Sequence, residues 1–149
     1  MTKKKYKRGY TVGTYDLFHI GHLNLFRNAK KYCDELIVAV HSDEWVYQCK
    51  KRETVIPLTE RMEIIRELRC VDEVVRNDGL SKLDAWEKYK FDVAFIGEDW
   101  KGTEVWNKIE SELNSVGVEV IYIPCTNGIS TTDIREKIAK GNNKKIENK

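Results

Sequence analysis

Along the chain, short runs of β-branched and aromatic residues alternate with longer stretches in which apolar positions recur every three or four residues. The short runs, near residues 9–13, 35–41, 73–76, 93–97 and 118–124, are near-continuous in apolar character, as expected of parallel strands covered on both faces. The longer stretches predict helices near 20–32, 59–69, 80–89, 103–116 and 132–140. In the second of these, Thr59 fits an N-cap and Glu60 suits the positive end of the dipole, while Met62, Ile64, Ile65 and Leu68 form an apolar stripe. Strand and helix alternate throughout, so the pattern predicts an α/β domain with a doubly wound, five-stranded parallel sheet. Proline occurs only at Pro57 and Pro124, and no stretch reads as a linker or repeat, so residues 1–149 are expected to form a single domain.

In such sheets ligands bind beyond the carboxyl ends of the strands, where the strand order reverses. The chemically loaded segments obey that rule: TYDLFHIGH follows the first strand, HSDEW the second, GEDWKG the fourth and CTNGISTT the fifth. Their convergence on one edge predicts one site. In the first segment, His19 and His22 stand three apart at a helix start, on one face, with Gly21 between them. Free backbone N–H groups and the helix dipole attract phosphate there, and glycine admits a close approach. The same residues also read as a helix cap plus a core histidine. A zinc site with Asp16 lacks further ligands at suitable spacing, so no metal site is expected.

Lys50, Lys51 and Arg52 read as a flexible loop, either solvated or able to close over a polyphosphate, and Arg61 opens the second helix. Thr126, Ser130, Thr131 and Thr132 surround Gly128 at another helix start, as an anion cradle or as an N-cap with Asp133. The chain has neither a Walker A sequence nor GxGxxG, which argues against a P-loop enzyme and a dinucleotide dehydrogenase.

With 26 basic and 24 acidic residues, net charge favours no particular partner, and the positive charge gathers in tails near 1–8 and 141–149, read as solvated ends. No nucleic-acid partner is expected. The four cysteines are widely spaced, no apolar run approaches the roughly 20 residues that span a bilayer, and no secretory segment is recognised. A cytoplasmic protein with reduced thiols and no membrane partner is the expectation.

The tetrapeptide HIGH also marks class I aminoacyl-tRNA synthetases, for which 149 residues are too few. GTYDLFHIGHLNLFRNAK, RCVDEVV, GEDWKG and NGISTTDI together resemble the cytidylyltransferases that make CDP-alcohols, most nearly the bacterial branch that uses glycerol 3-phosphate, and the likeness runs from about Gly9 to Ile138. The resemblance implies a Rossmann-like nucleotidyltransferase fold, a homodimer, and transfer of CMP from CTP, as its Mg2+ complex, to glycerol 3-phosphate. The products would be CDP-glycerol and pyrophosphate, feeding a cell-surface polymer such as teichoic acid or capsule. By motif, His19, His22, Lys50, Arg61 and Arg69 would be catalytic. Thr14, Tyr15, Asp16, Gly21, Asp99, Trp100, Thr126, Gly128, Ile129, Ser130 and Thr131 would bind the nucleotide.

Two positions depart from the pattern. Cys125 stands where the family reads arginine, with Arg135 and Lys101 as possible substitutes for the lost charge, and Cys70 stands where it reads tyrosine. Other acceptors therefore stay open: phosphoethanolamine, phosphocholine, another polyol phosphate or a phosphonate, for whose cationic head groups Tyr15, Trp45 and Trp100 are candidates. So does a CTP-binding protein without catalysis. An adenylyltransferase is disfavoured by GISTT.

Overall fold

The run Leu36–Val40 sends alternate side chains to opposite faces of its strand, so both faces need cover. The computed structural model, which describes residues 6–126 and 129–147 (residues 142–147 by backbone alone), supplies it with helices on each side. Five strands, β1 (Tyr6–Gly13), β2 (Cys33–His41), β3 (Glu73–Asn77), β4 (Val93–Gly97) and β5 (Glu119–Ile123), form one sheet in the order β3-β2-β1-β4-β5, every neighbouring pair parallel. The helices are α1 (Ile20–Lys30), α2 (Asp43–Lys50), α3 (Leu58–Arg66), α4 (Lys82–Tyr89), α5 (Glu104–Ser115) and α6 (Thr131–Glu147). A 3-10 turn, Glu98–Trp100, follows β4.

Leu36, Val38 and Val40 pack with Phe26 and Ala29 of α1 and Ile65 of α3. Ile37 and Ala39 pack on the other face with Ala85 of α4 and Leu113 of α5. Burying each such branched or aromatic side chain is worth roughly 1.5–3 kcal/mol, so the two layers account for much of the driving force. The strand order reverses between β1 and β4, which opens a crevice above their carboxyl ends.

The doubly wound five-stranded sheet is as the pattern predicts. Three local expectations change. The stretch after β2 is a helix, α2, capped by Ser42, whose Oγ accepts the Trp45 N–H at 3.2 Å. Lys50 is therefore the last residue of a helix and Lys51 its left-handed C-cap, rather than parts of a loose loop. At α3 the cap position is Pro57, not Thr59, and the orphan N–H of Leu58 is met at 3.1 Å by the carboxylate of Asp43 from α2. Finally, the tails are shorter than expected. Lys7 and Arg8 lie in β1, with both backbone N–H groups on Asp92, and α6 runs on to Glu147.

Candidate active site

A crevice of about 480 Å³ lies above the sheet's switch point, lined by the ends of β1, β2 and β4 and by the starts of the helices that follow. Its walls include Thr14, Tyr15, Asp16, His22, Lys50, Arg52, Trp100 and Thr131. His41, Trp45, Lys82 and Trp106 also line it.

The β1–α1 connection is sharply turned, with Tyr15 and Leu17 at φ of 54° and 50°. The turn folds the Tyr15 ring back over Gly13, where a Cβ would lie 2.7 Å from that ring, and sets it edge-on to His22. His19 is the N-cap of α1. Its Nδ1 accepts the Gly21 N–H at 3.0 Å, and Nδ1 of His22 accepts the His19 N–H at 3.3 Å. Gly21 is required less for a phosphate than for this cap, because a Cβ there would stand 2.8 Å from the His19 ring.

The cap and the anion site turn out to be compatible. With both Nδ1 atoms accepting, each neutral ring carries its proton on Nε2. The rings stack with centroids 3.8 Å apart and 24° between their planes, so the two donors sit on neighbouring rings. Burial depresses the pKa of His19, and burial together with His19 brings that of His22 to about 3, so neither ring adds charge near neutrality.

Asp16, 2% exposed, is taken up by contacts within the chain. Its carboxylate accepts the N–H groups of Leu17, Val55 and Ile56 at 3.1, 2.8 and 3.0 Å and pairs with Arg135. Its carbonyl oxygen accepts the Thr131 hydroxyl at 2.8 Å. Burial alone would raise its pKa; the two loop N–H groups and Arg135 hold it below the ordinary carboxylate value.

Three hydroxyls of the second cradle, those of Thr126, Ser130 and Thr131, are likewise engaged. Ser130 Oγ caps α6 through the Asp133 N–H at 3.0 Å, and Thr126 accepts from Asn24 of α1 at 3.0 Å. Ile129 lies against Gly21, so the start of α6 faces the start of α1. Two helix N-termini thus share one crevice, which suits a polyanion. Gly128 lies outside the described residues.

Lys50 reaches the crevice as expected, with Nζ 3.4 Å from Thr14 Oγ1 and its pKa lowered by burial and then by Arg52 and Arg135. Arg61 does not. It is 1% exposed and donates to the carbonyls of Ile56, Thr14 and His41 at 2.8, 2.7 and 2.9 Å and to Asp43. Its guanidinium holds the strand ends together under the site. Arg69 lies in the exposed turn between α3 and β3, on the amino edge of the sheet, away from the crevice.

Trp100 lines the crevice, whereas Asp99 turns to Cys125, with Oδ1 3.5 Å from Sγ. The backbone N–H of Cys125 faces Glu98 at 3.4 Å. The thiol is therefore held above its usual pKa, first by burial and then by those carboxylates. Neither proposed substitute meets Cys125: Arg135 is paired with Asp16, and Lys101 lies over Tyr122.

Lys82 escaped the sequence reading. It opens α4 after β3, its ammonium lies 5.6 Å from the Trp106 ring centroid, and burial lowers its pKa. Applying the strand-end rule to the third strand as well would have found it, in NDGLSK. A second concavity outside α2 is lined by Asp43, Glu44 and Glu53, and its negative charge suits no phosphate.

The Cytidylyltransferase-like family pattern matches residues 10–137. The glycerol-3-phosphate cytidylyltransferase of Staphylococcus aureus is 38% identical over 89% of this chain and 95% of its own length. The FAD synthase of Thermococcus kodakarensis is 36% identical over 82% of this chain and 83% of its own. Among solved structures, the lipopolysaccharide core biosynthesis protein of Thermoplasma volcanium superposes with a TM-score of 0.67 at 25% identity, over 81% of this chain and 97% of that one.

Proposed function

The chain belongs to the cytidylyltransferase-like family, and from that premise we propose that it is a CTP-dependent enzyme that transfers CMP to glycerol 3-phosphate. A phosphate oxygen of glycerol 3-phosphate attacks the α-phosphorus of CTP in line; the bond from that phosphorus to the α,β-bridging oxygen breaks, and pyrophosphate leaves with the electron pair. CDP-glycerol is the other product. Little covalent chemistry falls to the protein, so positioning and charge stabilisation carry the rate.

The observation that carries this reading is the pair of Nε2–H donors on His19 and His22, set opposite the start of α6. These donors would meet the oxygens on which charge develops as the phosphorus becomes five-coordinate. The N-terminus of α6 would hold the β and γ phosphates, and Lys50 would stand between the two substrates. Lys82, with no ion pair among the described residues, would take the phosphate of glycerol 3-phosphate. Asp16 and Arg61 keep these groups in register without touching substrate.

Mg2+ enters as the CTP complex. Bound to CTP, the ion would neutralise charge on the phosphates; among the described residues no cluster of three His, Cys, Asp or Glu side chains is placed to hold a metal. The protein is read as a cytoplasmic homodimer serving a cell-surface polymer such as teichoic acid or capsule, and sedimentation at micromolar concentration tests the dimer.

The deciding experiment is pyrophosphate release, measured with each of the four nucleoside triphosphates against glycerol 3-phosphate, phosphoethanolamine, phosphocholine, other polyol phosphates and FMN. Release with CTP and glycerol 3-phosphate is expected. Release with ATP and FMN would move the chain to the FAD synthase side of its relatives, and CTP binding without release for any acceptor would point to a protein that has lost catalysis.

A further inference from the structure

His41 ends β2 beneath the crevice, and the proposed mechanism makes no use of it. Its neighbour Asn77, at the end of β3 and 2% exposed, accepts the N–H groups of Gly79 and Leu80 on Oδ1 at 3.3 and 3.0 Å. Those two donors fix which way round the amide lies. Nδ2 of Asn77 is then the atom 3.2 Å from Nδ1 of His41, and since an amide nitrogen only donates, Nδ1 accepts. The ring proton is placed on Nε2. Trp45 of α2 stacks on the ring with centroids 3.7 Å apart and 14° between the planes, so the imidazole cannot turn without losing both contacts.

Burial and the charges of Lys82, Lys50 and Arg61 push the His41 pKa down to about 3. The ring stays neutral, and Nε2–H has no acceptor among the described residues. An uncharged N–H donor beside two ammonium groups fits an anionic oxygen.

We propose that His41 is an acceptor-binding residue: a neutral donor, preset by Asn77 and Trp45, that hydrogen-bonds a phosphate oxygen of the acceptor on the Lys82 side of the crevice. This rests on the reading of Lys82 as the acceptor's phosphate cation.

Two variants test it. In H41F the ring keeps its stack on Trp45 but loses the donor; in H41Q an amide N–H returns near the position of Nε2. Steady-state kinetics should show the KM for glycerol 3-phosphate raised about tenfold in H41F with the KM for CTP within about twofold, and H41Q recovering to within about threefold of the parent. Parallel rises in both KM values, or no rise in a folded H41F, would overturn the proposal. If the parent protein works only with another phosphorylated acceptor, the acceptor reading has failed, and the same comparison with that acceptor still tests His41. Nitrogen-15 NMR of the unmutated protein gives an independent readout. The Nε2-bound proton should shift on addition of glycerol 3-phosphate and stay put with CTP alone; a signal indifferent to glycerol 3-phosphate would also sink the idea.

Discussion

At the scale of single residues, His19 caps a helix with Nδ1 and, in the proposed mechanism, meets phosphate with Nε2, and substitution can separate the two. Asparagine is a good N-cap but falls short of Nε2. His19→Asn should therefore keep the melting temperature within a few degrees while lowering kcat by about 100-fold or more, as loss of a transition-state donor does. His19→Ala should lose a similar factor in rate and, with the cap gone, roughly 1 kcal/mol of stability besides. Near parental turnover in the asparagine variant, checked by pyrophosphate release, would remove the imidazole pair from the mechanism. Cys125 is the opposite case, a position where charge is missing. Cys125→Arg restores a cation beside Glu98 and Asp99, which would steady it in place. The expected outcome is a KM for CTP lower by about 3- to 10-fold, each tenfold corresponding to about 1.4 kcal/mol. An unchanged KM would mean that other groups already meet the phosphates.

At the scale of elements, two buried groups fasten the walls of the crevice. Arg61 joins α3 to the ends of β1 and β2, and removing it strands three carbonyls and Asp43. Arg61→Leu should cost roughly 3 kcal/mol in urea unfolding, about 1 kcal/mol for each of the three carbonyls left without its donor, with little added by the solvent-screened Asp43. Asp16 ties the 51–57 connection and α6 to the β1–α1 turn. Asp16→Asn should raise the KM for CTP and speed amide exchange at Val55 and Ile56, with the core strands unaffected. Such long-range fastenings explain what the sequence could and could not disclose. The five strands and the histidine pair were legible because periodicity and strand-end position are local signals. The helix α2 was not, since DEWVYQCK buries only Val46 and reads as a polar connection. The start of α3 was misplaced because its cap comes from Asp43, fifteen residues earlier. The place of Arg61, beneath the crevice rather than in it, was not legible because nothing in a sequence shows that a guanidinium is 1% exposed.

For the whole molecule, the same geometry sets the response to acid. His22 and His41 have folded pKa values of about 3 against an ordinary 6.5, so the unfolded chain binds more protons between those limits. Their contribution to stability is full above pH 6.5 and is lost as the pH falls towards 3. Asp16 and Asp43, held below the ordinary carboxylate value of 3.8, give up theirs only at still lower pH. Stability from urea titrations should thus fall between pH 6.5 and 4, and H41F should reduce that slope by up to about one proton, or about 1.4 kcal/mol per pH unit. An equal slope in the variant would mean that His41 titrates normally. The sheet also has an order in time. β1, at its centre, leaves the ribosome first, whereas the hydroxyl and guanidinium that Thr131 and Arg135 send to Asp16 arrive with the last helix. A chain that stopped after β5 would hold its five strands yet lack one wall of the crevice. A nonsense codon late in the gene is therefore expected to spare the sheet while abolishing turnover, because the contacts that α6 makes with Asp16 are lost.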